Sequence, residues 1–457
     1  MDNLRARLRE LSTLTLPLLV EHSFITLMGM INTAMVASLG EEAMSAAGHI
    51  NNASQIPIAM FAAMTTGGTI LVAQAVGARD MNKAASSGGQ AVALAAVFSV
   101  MLSIFLAIGQ RPANNWLFGG ADPAMVEAGY IYYIYVNWSL PFLAVAQTFF
   151  GVMRGAGDVK NPMKISLIMN IVNIIFGYVL IIGISVPFTD ISTPSFGMHG
   201  AGLAFALARL VGMIFAIKVI FSQKSPIRLN KLSWYKPTRA IQRDIVSLGV
   251  PTGAESLLFQ IGRLATQMMI VGLGTAAMAA NVVAMNFNVF IMIPGNALSV
   301  SIMVMVGQRV GRKDFDDITK TAMFATIVAM AFMTVLSIVM LPVGGVFGQA
   351  FGLYGESAEY FRILFLGLII GTPLFWPLSF VTPAALRAAK DVTFTMVVSV
   401  VTMWVFRIAL GYFIGIIMGL GLYGVWIGLY SDWVARSAIF WVRLRRKKWL
   451  KRLESEA

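Results

Sequence analysis

Long apolar segments follow one another along almost the whole chain. Of the 457 residues, 58% are hydrophobic and only 12% are charged, whereas soluble domains average about 25% charged residues. A helix of about 18 or more mostly apolar residues is long enough to cross the hydrocarbon of a bilayer. Because hydrocarbon offers no water to backbone N–H and C=O groups, repeated spans of this kind must be helical. The sequence therefore predicts an all-α membrane protein.

The apolar segments divide into two sets of six, one on each side of a polar linker. We expect twelve transmembrane helices, at about 12–38, 44–74, 84–109, 124–152, 162–186, 200–222, 245–272, 278–306, 320–343, 358–384, 394–418 and 422–444. The linker at 223–243 is basic and contains proline, as domain boundaries often are. We therefore expect an N-terminal six-helix bundle over 1–222 and a C-terminal six-helix bundle with a basic tail over 244–457.

The two sets carry the same sequence pattern. A shift of 234 residues without a gap places Pro17 on Pro251 and Glu21 on Glu255. It also aligns two octets, AQAVGARD at 73–80 and GQRVGRKD at 307–314. A looser match joins MRGAGDVKNPM at 153–163 to LRAAKDVTFTM at 386–396, with Arg154 opposite Arg387. A period this long indicates a duplicated half-protein, since solenoid repeats have about 20–50 residues.

Lysine and arginine are concentrated in the predicted loops on one side of the membrane. These basic positions are Arg79, Lys83, Arg154, Lys160, Lys164, Arg309, Arg312, Lys313, Arg387 and Lys390, with the linker and both ends of the chain. The opposite loops are acidic, with Arg111 as the main exception. The positive-inside rule then places both termini in the cytoplasm, and an even number of spans per half gives the halves the same orientation. The formal charge of +13 is thus explained by topology, and we expect no nucleic-acid partner.

Several classes of function lack their usual sequence signals. The chain contains no cysteine, which excludes disulfides, thiolate metal sites and thiol catalysis. No GxxxxGK[ST] loop is present, so ATP-driven pumping within this chain is not indicated. We expect neither an enzyme nor a bound cofactor or metal. Duplicated bundles favour a transporter that rocks around a midplane site, and a channel or a structural membrane protein is the alternative.

The motifs resemble those of the multidrug and toxic compound extrusion (MATE) transporters, in the branch that includes DinF-like proteins. The matching features are LPLLVEHS at 16–23, INTAMVASLGEEAMSAAG at 31–48, both octets, and RGAGDVKNP at 154–162 with its second-half copy. The resemblance implies twelve transmembrane helices in two pseudo-symmetric six-helix bundles that form a V. It also implies a central cavity that opens alternately to either side, with export driven by entry of Na⁺ or H⁺.

Carboxylates inside predicted spans are few, and intramembrane ionisable groups are functional candidates. Glu21 and Glu255 occupy equivalent places and could exchange H⁺ or coordinate Na⁺, or they could form salt bridges near the helix ends. Many MATE relatives have an aspartate where this chain has Asn32. They also have an acidic residue one turn after Asn173, where this chain has Gly177. Amides orient substrate or water but do not titrate. The candidates for cation coupling are Glu255, Glu21, Asn32 and Asn173.

Basic and polar side chains inside the spans are the candidates for a substrate cavity. Arg209, Arg263 and Arg407 lie within predicted spans, and an unpaired arginine there would favour anionic substrates. Asp432 and Arg436, four residues apart, are expected to pair on one helix. Softer candidates, which packing between helices or contact with lipid would also explain, are Tyr135, Asn137, Gln147, Asn281, Asn286, Met28, Met64 and Met285.

These observations together predict a monomeric antiporter in the bacterial inner membrane. It would export small amphipathic organic molecules in exchange for H⁺ or Na⁺, so its partners are the substrate, the coupling cation and the lipid bilayer. Two alternatives stay open at this point. The intramembrane arginines also suit a narrower anionic or metabolite substrate, and a flippase for lipid-linked precursors shares many spans and buried bases.

Overall fold

The computed structural model describes residues 2–118, 120–183, 194–223, 225–446 and 449–450. Within these ranges the regular structure is entirely helical, and no strand occurs. The end of the predicted fifth span beyond residue 183 lies outside the described residues, as does most of the basic tail. The predicted all-α class is confirmed.

Fifteen α-helices occur in the described part of the chain. They are α1 (Asp2–Ala37), α2 (Glu41–Gly77), α3 (Met81–Ile108), α4 (Gln110–Leu117), α5 (Pro123–Gly155), α6 (Lys160–Gly177), α7 (Gly197–Phe221), α8 (Arg239–Val271), α9 (Thr275–Gly311), α10 (Phe315–Met340), α11 (Val343–Ala350), α12 (Glu356–Trp376), α13 (Thr382–Ala388), α14 (Val392–Thr402) and α15 (Gly421–Arg446). Wider π-helical turns extend α6, join α12 to α13 and extend α14. They cover Tyr178–Ile182, Pro377–Val381, Met403–Leu410 and Phe413–Ile417.

Each of the twelve predicted spans coincides with one continuous helical segment of the described chain. Ten of these segments are apolar enough over their length to cross a membrane, as counted over the described residues. The other two long helices are α8 and α15, which carry Glu255, Arg263, Asp432 and Arg436. These four charges inside the predicted spans thus lie on two helices, whereas Glu21, Arg209 and Arg407 lie on other segments.

Two short helices were not predicted. α4 and α11 have eight residues each, too few for the pattern of a membrane span. They occupy equivalent places in the two halves, since α4 precedes α5 and α11 precedes α12. The repeat is therefore closer in structure than in sequence.

The chain folds into two compact units. The C-terminal unit contains the described residues of Met1–Leu19, Gly77–Arg79 and Ala254–Ala457, and the N-terminal unit contains Val20–Val76 and Asp80–Gly253. Two boundaries between the units fall inside long helices. One lies two residues after Pro17 in α1, and the other lies two residues after Pro251 in α8. A proline inside a helix removes one backbone hydrogen bond, which weakens the helix locally. The predicted six-helix bundles, which end at 222 and begin at 244, are defined by the order of helices along the chain. Those limits stay a prediction.

The N-terminal unit packs α5 against α3 and α7, and α6 against α7. Its core includes Val72, Phe150 and Ile220 together with two linker residues, Ile227 and Leu229. The linker is held further by backbone and side-chain hydrogen bonds. The backbone N–H of Thr238 donates to the amide oxygen of Gln90 at 2.9 Å, and the Tyr235 hydroxyl donates to the carbonyl of Leu229 at 3.1 Å. Burial raises the pKa of Tyr235 to about 12.

The C-terminal unit packs α9 against α10 and α12, and α15 against the wide turns after α14. Leu11 of α1 belongs to its core, beside residues of α9 and α10. Glycines let α15 approach its neighbour closely, because a Cβ at Gly424 or Gly428 would collide with the backbone of Gly415 or Gly411. Small residues serve membrane helices in this way, since close backbone packing replaces the missing hydrophobic effect.

One turn recurs four times at helix ends. Its residue of positive φ precedes an aspartate, and these residues are Arg79 (61°), Gly157 (89°), Lys313 (57°) and Lys390 (64°). Each aspartate N–H donates to the carbonyl five residues earlier, in the pairs Asp80–Ala75 (2.9 Å), Asp158–Met153 (2.8 Å), Asp314–Arg309 (3.1 Å) and Asp391–Leu386 (2.9 Å). This is the Schellman pattern of helix termination. The repeated motifs in the sequence therefore encode a repeated corner between helices.

Candidate functional site

Glu21 is the most buried carboxylate of the N-terminal unit, with 2% of its surface exposed. One oxygen, Oε1, accepts from Arg154 Nη2 at 2.5 Å and from the Ser166 hydroxyl at 3.1 Å. The other oxygen, Oε2, has no hydrogen-bond partner in the described chain, and the same is true of Nε2 of the neighbouring His22. The carboxylate is thus ion-paired through one oxygen only.

Glu255 makes the equivalent ion pair in the C-terminal unit. It lies on α8 with 8% of its surface exposed, and Arg387 of α13 donates to it at 3.2 Å. Since the repeat aligns both the glutamates and the arginines, the ion pair itself is repeated. The salt-bridge interpretation describes the geometry of both carboxylates, and their role in coupling stays a prediction.

A second charged cluster surrounds Asp432, which is fully buried on α15. Arg436, one turn later, donates from Nη2 to Oδ1 at 2.7 Å. This pair is the one that the four-residue spacing predicts, and it is confirmed. Arg407, in the π-helical segment after α14, places Nη2 at 2.8 Å from Oδ2. That distance makes an ion pair, although the approach lacks the angles of a hydrogen bond.

Aromatic rings and hydroxyl groups complete the surroundings of Arg436. Its guanidinium carbon lies 4.7 Å from the ring centre of Phe259 and 5.1 Å from that of Phe380. It also donates to the Ser399 carbonyl at 3.2 Å and to the Thr402 hydroxyl at 3.3 Å. Cation–π contacts of this kind stabilise a charge away from water. Arg436 is therefore held in one orientation by the groups around it.

Arg209 and Arg263 differ from these paired arginines. Arg209 on α7 is 6% exposed, donates to the Ser139 hydroxyl at 2.8 Å and lies 4.1 Å from the centre of the Phe205 ring. Across the described residues, no carboxylate forms an ion pair with Arg209. Arg263 on α8 is exposed. The N-terminal unit thus buries one positive charge that has no ionic partner within the described chain.

The two candidate asparagines lie in different surroundings. Asn32 is 7% exposed and interacts with the Tyr132 hydroxyl, which also donates to Asn51 at 3.4 Å. Asn173 is fully buried, and neither atom of its amide has a hydrogen-bond partner within the described ranges. The sulfur end of Met35 lies where a side chain at Gly177 would begin. No carboxylate occupies these positions.

The softer candidates have different surroundings. Asn137 donates to the Ser103 carbonyl at 3.0 Å, and Asn281 accepts from the Trp426 indole at 3.0 Å, so both join helices within one unit. The Tyr135 hydroxyl lies 3.2 Å from a ring nitrogen of His199. Asn286 is exposed. Four further candidates are partly buried: Gln147, Met28, Met64 and Met285.

Sequence reasoning missed the partners of the buried carboxylates. The sequence motifs indicate that Arg154 and Arg387 are equivalent and place both in loops, and no residue pattern indicates the contacts of Ser166, Phe259 and Phe380. The available signal was the parallel alignment of both glutamates and both arginines in one repeat. It identifies equivalent positions, but it does not say which positions meet in space.

Comparison with known proteins gives matches over nearly the full length. The sequence model of the MatE family matches residues 17–179 and 251–413, so the second match begins at Pro251, the counterpart of Pro17. The "Uncharacterized transporter YisQ" of Bacillus subtilis (strain 168) is 25% identical, over 97% of this chain and 95% of that protein. The "Probable multidrug resistance protein NorM" of Thermotoga maritima is also 25% identical, over 97% of this chain and 93% of that protein.

Solved structures share the fold. A MOP superfamily transporter from Pyrococcus furiosus superposes with a TM-score of 0.84 at 21% identity, over 97% of this chain and 96% of that one. Its binding pocket is described as having reverse polarity, which suggests a different function for that protein. The likeness extends across both halves of this chain.

Proposed function

The chain belongs to the MatE family of multi-pass membrane transporters, and from this premise we propose that it is a secondary active exporter of small amphipathic organic compounds. Export is driven by exchange for H⁺ or Na⁺. The family match in both halves supports the proposal, and so do full-length relatives that carry the name of probable multidrug resistance proteins. The family match favours an exporter over a flippase for lipid-linked precursors. The bacterial relatives support a place in the inner membrane, and the charge distribution supports cytoplasmic termini.

The observation that carries the coupling proposal is the half-satisfied carboxylate of Glu21. Oε1 is held by Arg154 and Ser166, whereas Oε2 is buried without a hydrogen-bond partner in the part of the chain described. A proton or Na⁺ that binds this carboxylate competes with Arg154 for its negative charge. The cation therefore stabilises any conformation in which the ion pair is weakened. A cation gradient then shifts the equilibrium between the conformations of the transporter. Glu255 and Arg387 offer the same competition in the other unit.

A second candidate is export of an organic anion, and Arg209 is the observation that favours it. This arginine is buried without a carboxylate partner among the described residues. A negatively charged group on a substrate would supply the missing counter-charge. The Pyrococcus transporter of the same fold is described as having a binding pocket of reverse polarity, and this is consistent with the second candidate.

Transport by the purified chain in lipid vesicles tests both candidates. An ethidium-like dye and a fluorescent organic anion are loaded separately, and a pH gradient or a Na⁺ gradient is imposed alone. We expect one gradient to drive efflux of the dye, because cation binding is what biases the carrier. Efflux that ignores both gradients overturns the coupling proposal. Gradient-driven efflux of the anion alone replaces the first candidate with the second.

Glu21→Gln and Glu255→Gln form a matched pair for assigning the coupling carboxylate. They remove the same charge from equivalent positions of the two halves. We expect one of the two variants to bind dye but to lose gradient-driven efflux, which identifies the carboxylate that couples. The other variant should retain gradient-driven efflux. If both variants keep wild-type efflux under each gradient, neither carboxylate couples and the role of both ion pairs is structural.

A further inference from the structure

The charges around Asp432 and Glu255 do not balance. Two buried arginines, Arg407 and Arg436, and the partly buried Arg387 meet two carboxylates, Glu255 and Asp432. Within the described ranges, no further carboxylate forms an ion pair with these arginines. Glu255 is engaged by Arg387 and also acts electrostatically on Arg436, so two carboxylates offset three arginines. Burial of an uncompensated charge inside a membrane helix bundle is costly, so the cluster favours one additional negative charge.

Unused hydrogen-bond donors surround the same arginines. Nε of Arg407, Nη1 of Arg436 and the hydroxyl of Ser399 are all buried and have no acceptor among the residues described. Ser399 belongs to this cluster because its carbonyl accepts from Arg436 at 3.2 Å. Buried polar groups in native proteins are almost always paired, so several unused donors in one place call for an acceptor. The acceptor that would satisfy both the donors and the charge balance is an anion.

We propose that Arg407 and Arg436 bind a monovalent anion beside Asp432, either a halide ion or the carboxylate group of an organic compound. One negative charge restores neutrality, whereas a dianion would overcompensate it. A metal cation is disfavoured, because each oxygen of Asp432 already lies within 2.8 Å of a guanidinium nitrogen. The rings of Phe259 and Phe380 hold the guanidinium of Arg436, and its Nη1, which has no acceptor among the described residues, is the donor left for the ligand. This site does not depend on the transport proposal.

Thermal unfolding of the full-length chain in detergent micelles tests the site. Chloride, bromide and benzoate are titrated separately, at an ionic strength kept constant with a weakly coordinating sulfonate salt. We expect a saturable rise in melting temperature for at least one of the three anions. Arg407→Gln weakens the apparent affinity by about tenfold or more, because it removes one charged donor from a buried site. Arg362→Gln is the matched control, since Arg362 is an exposed arginine on α12, and it leaves the affinity unchanged.

The three anions distinguish the source of the ligand. Saturation by halides alone supports a site for an inorganic ion, and saturation by benzoate supports a site for the carboxylate of an organic compound. Absence of saturable stabilisation by any of them overturns the proposal, and so does an equal loss of affinity in Arg362→Gln. Should Arg407→Gln fail to fold, anomalous diffraction from wild-type crystals soaked separately in bromide and in bromobenzoate decides the matter. A bromine peak at Arg407 and Arg436 in either soak supports the site, and no peak there in both soaks contradicts it.

Discussion

At Glu21 two donors share one carboxylate oxygen, whereas the other oxygen has no hydrogen-bond partner in the described chain. In the second half, the equivalent distance from Arg387 Nη1 to Glu255 Oε2 is longer, at 3.2 Å. The counterpart of Ser166 in the second half is Ser399, whose carbonyl contacts Arg436 instead. The two copies therefore share an ion pair and differ in the groups around it. Because a hydrogen-bond donor competes with a bound cation for the carboxylate, we expect the two copies to contribute unequally to coupling.

Removal of one partner of the Glu21–Arg154 pair should be costly. Glu21→Gln leaves Arg154 without its buried counter-charge, and breaking a buried pair in this way destabilises a protein by about 3–5 kcal/mol. The double variant Glu21→Gln/Arg154→Gln should recover a large part of that loss, because it buries no unpaired charge. Denaturation in detergent micelles measures the effect, and Glu41→Gln serves as the exposed control. Simple additivity of the two single losses would contradict a direct ion pair.

At the scale of elements, the four aspartate corners show why the motifs are repeated. Each corner needs one residue with positive φ directly before the aspartate, a conformation that glycine adopts freely and other L-residues adopt at a cost. Only the corner at Gly157 uses glycine, and the other three use Arg79, Lys313 and Lys390. The basic residues fit the positive-inside pattern. These three corners therefore have a basic side chain at a position where glycine would adopt the backbone conformation at lower cost. Topology and backbone conformation thus compete at the same position.

Exchanging residues between equivalent corners tests this interpretation. Lys390→Gly should stabilise the chain by about 1 kcal/mol, because it removes the steric cost of a left-handed L-residue. Gly157→Ala should destabilise it by a similar amount, about 1 kcal/mol, because it introduces that cost at φ 89°. Melting temperatures of both variants in one detergent provide the measurement. Shifts in the same direction for the two substitutions would show that side-chain contacts, rather than backbone conformation, dominate these corners.

For the molecule as a whole, the sequence predicted features that depend on local pattern. Apolar length located the twelve long helices, and the i,i+4 spacing located the pair of Asp432 and Arg436. Contacts distant in sequence were not predictable in the same way. Arg407 reaches Asp432 from a π-helical segment that no residue pattern indicated, and Glu21 meets Arg154 across 133 residues. Which charges meet depends on how helices rotate and pack, and this information lies outside any single segment.

The orientation of the two halves is the remaining whole-molecule prediction, and the absence of cysteine makes it directly testable. Glu41 and Thr275 are equivalent under the repeat, are exposed and begin α2 and α9. If the halves face the same way, Glu41→Cys and Thr275→Cys both react with a membrane-impermeant maleimide added to intact cells. Ser233→Cys, in the exposed part of the basic linker, should react only after permeabilisation. The cysteine-free parent sets the background.

Each pattern of labelling has a distinct structural meaning. Reaction of both Glu41→Cys and Thr275→Cys in intact cells requires an even number of crossings between them, as six helices per half provide. Reaction of only one of the two would mean an odd number and halves of opposite orientation, which would contradict the duplication of a six-helix unit. Reaction of Ser233→Cys alone would invert the whole chain against its lysine and arginine distribution. That result would remove the charge-based argument for cytoplasmic termini, because the basic linker and corners would then face outward.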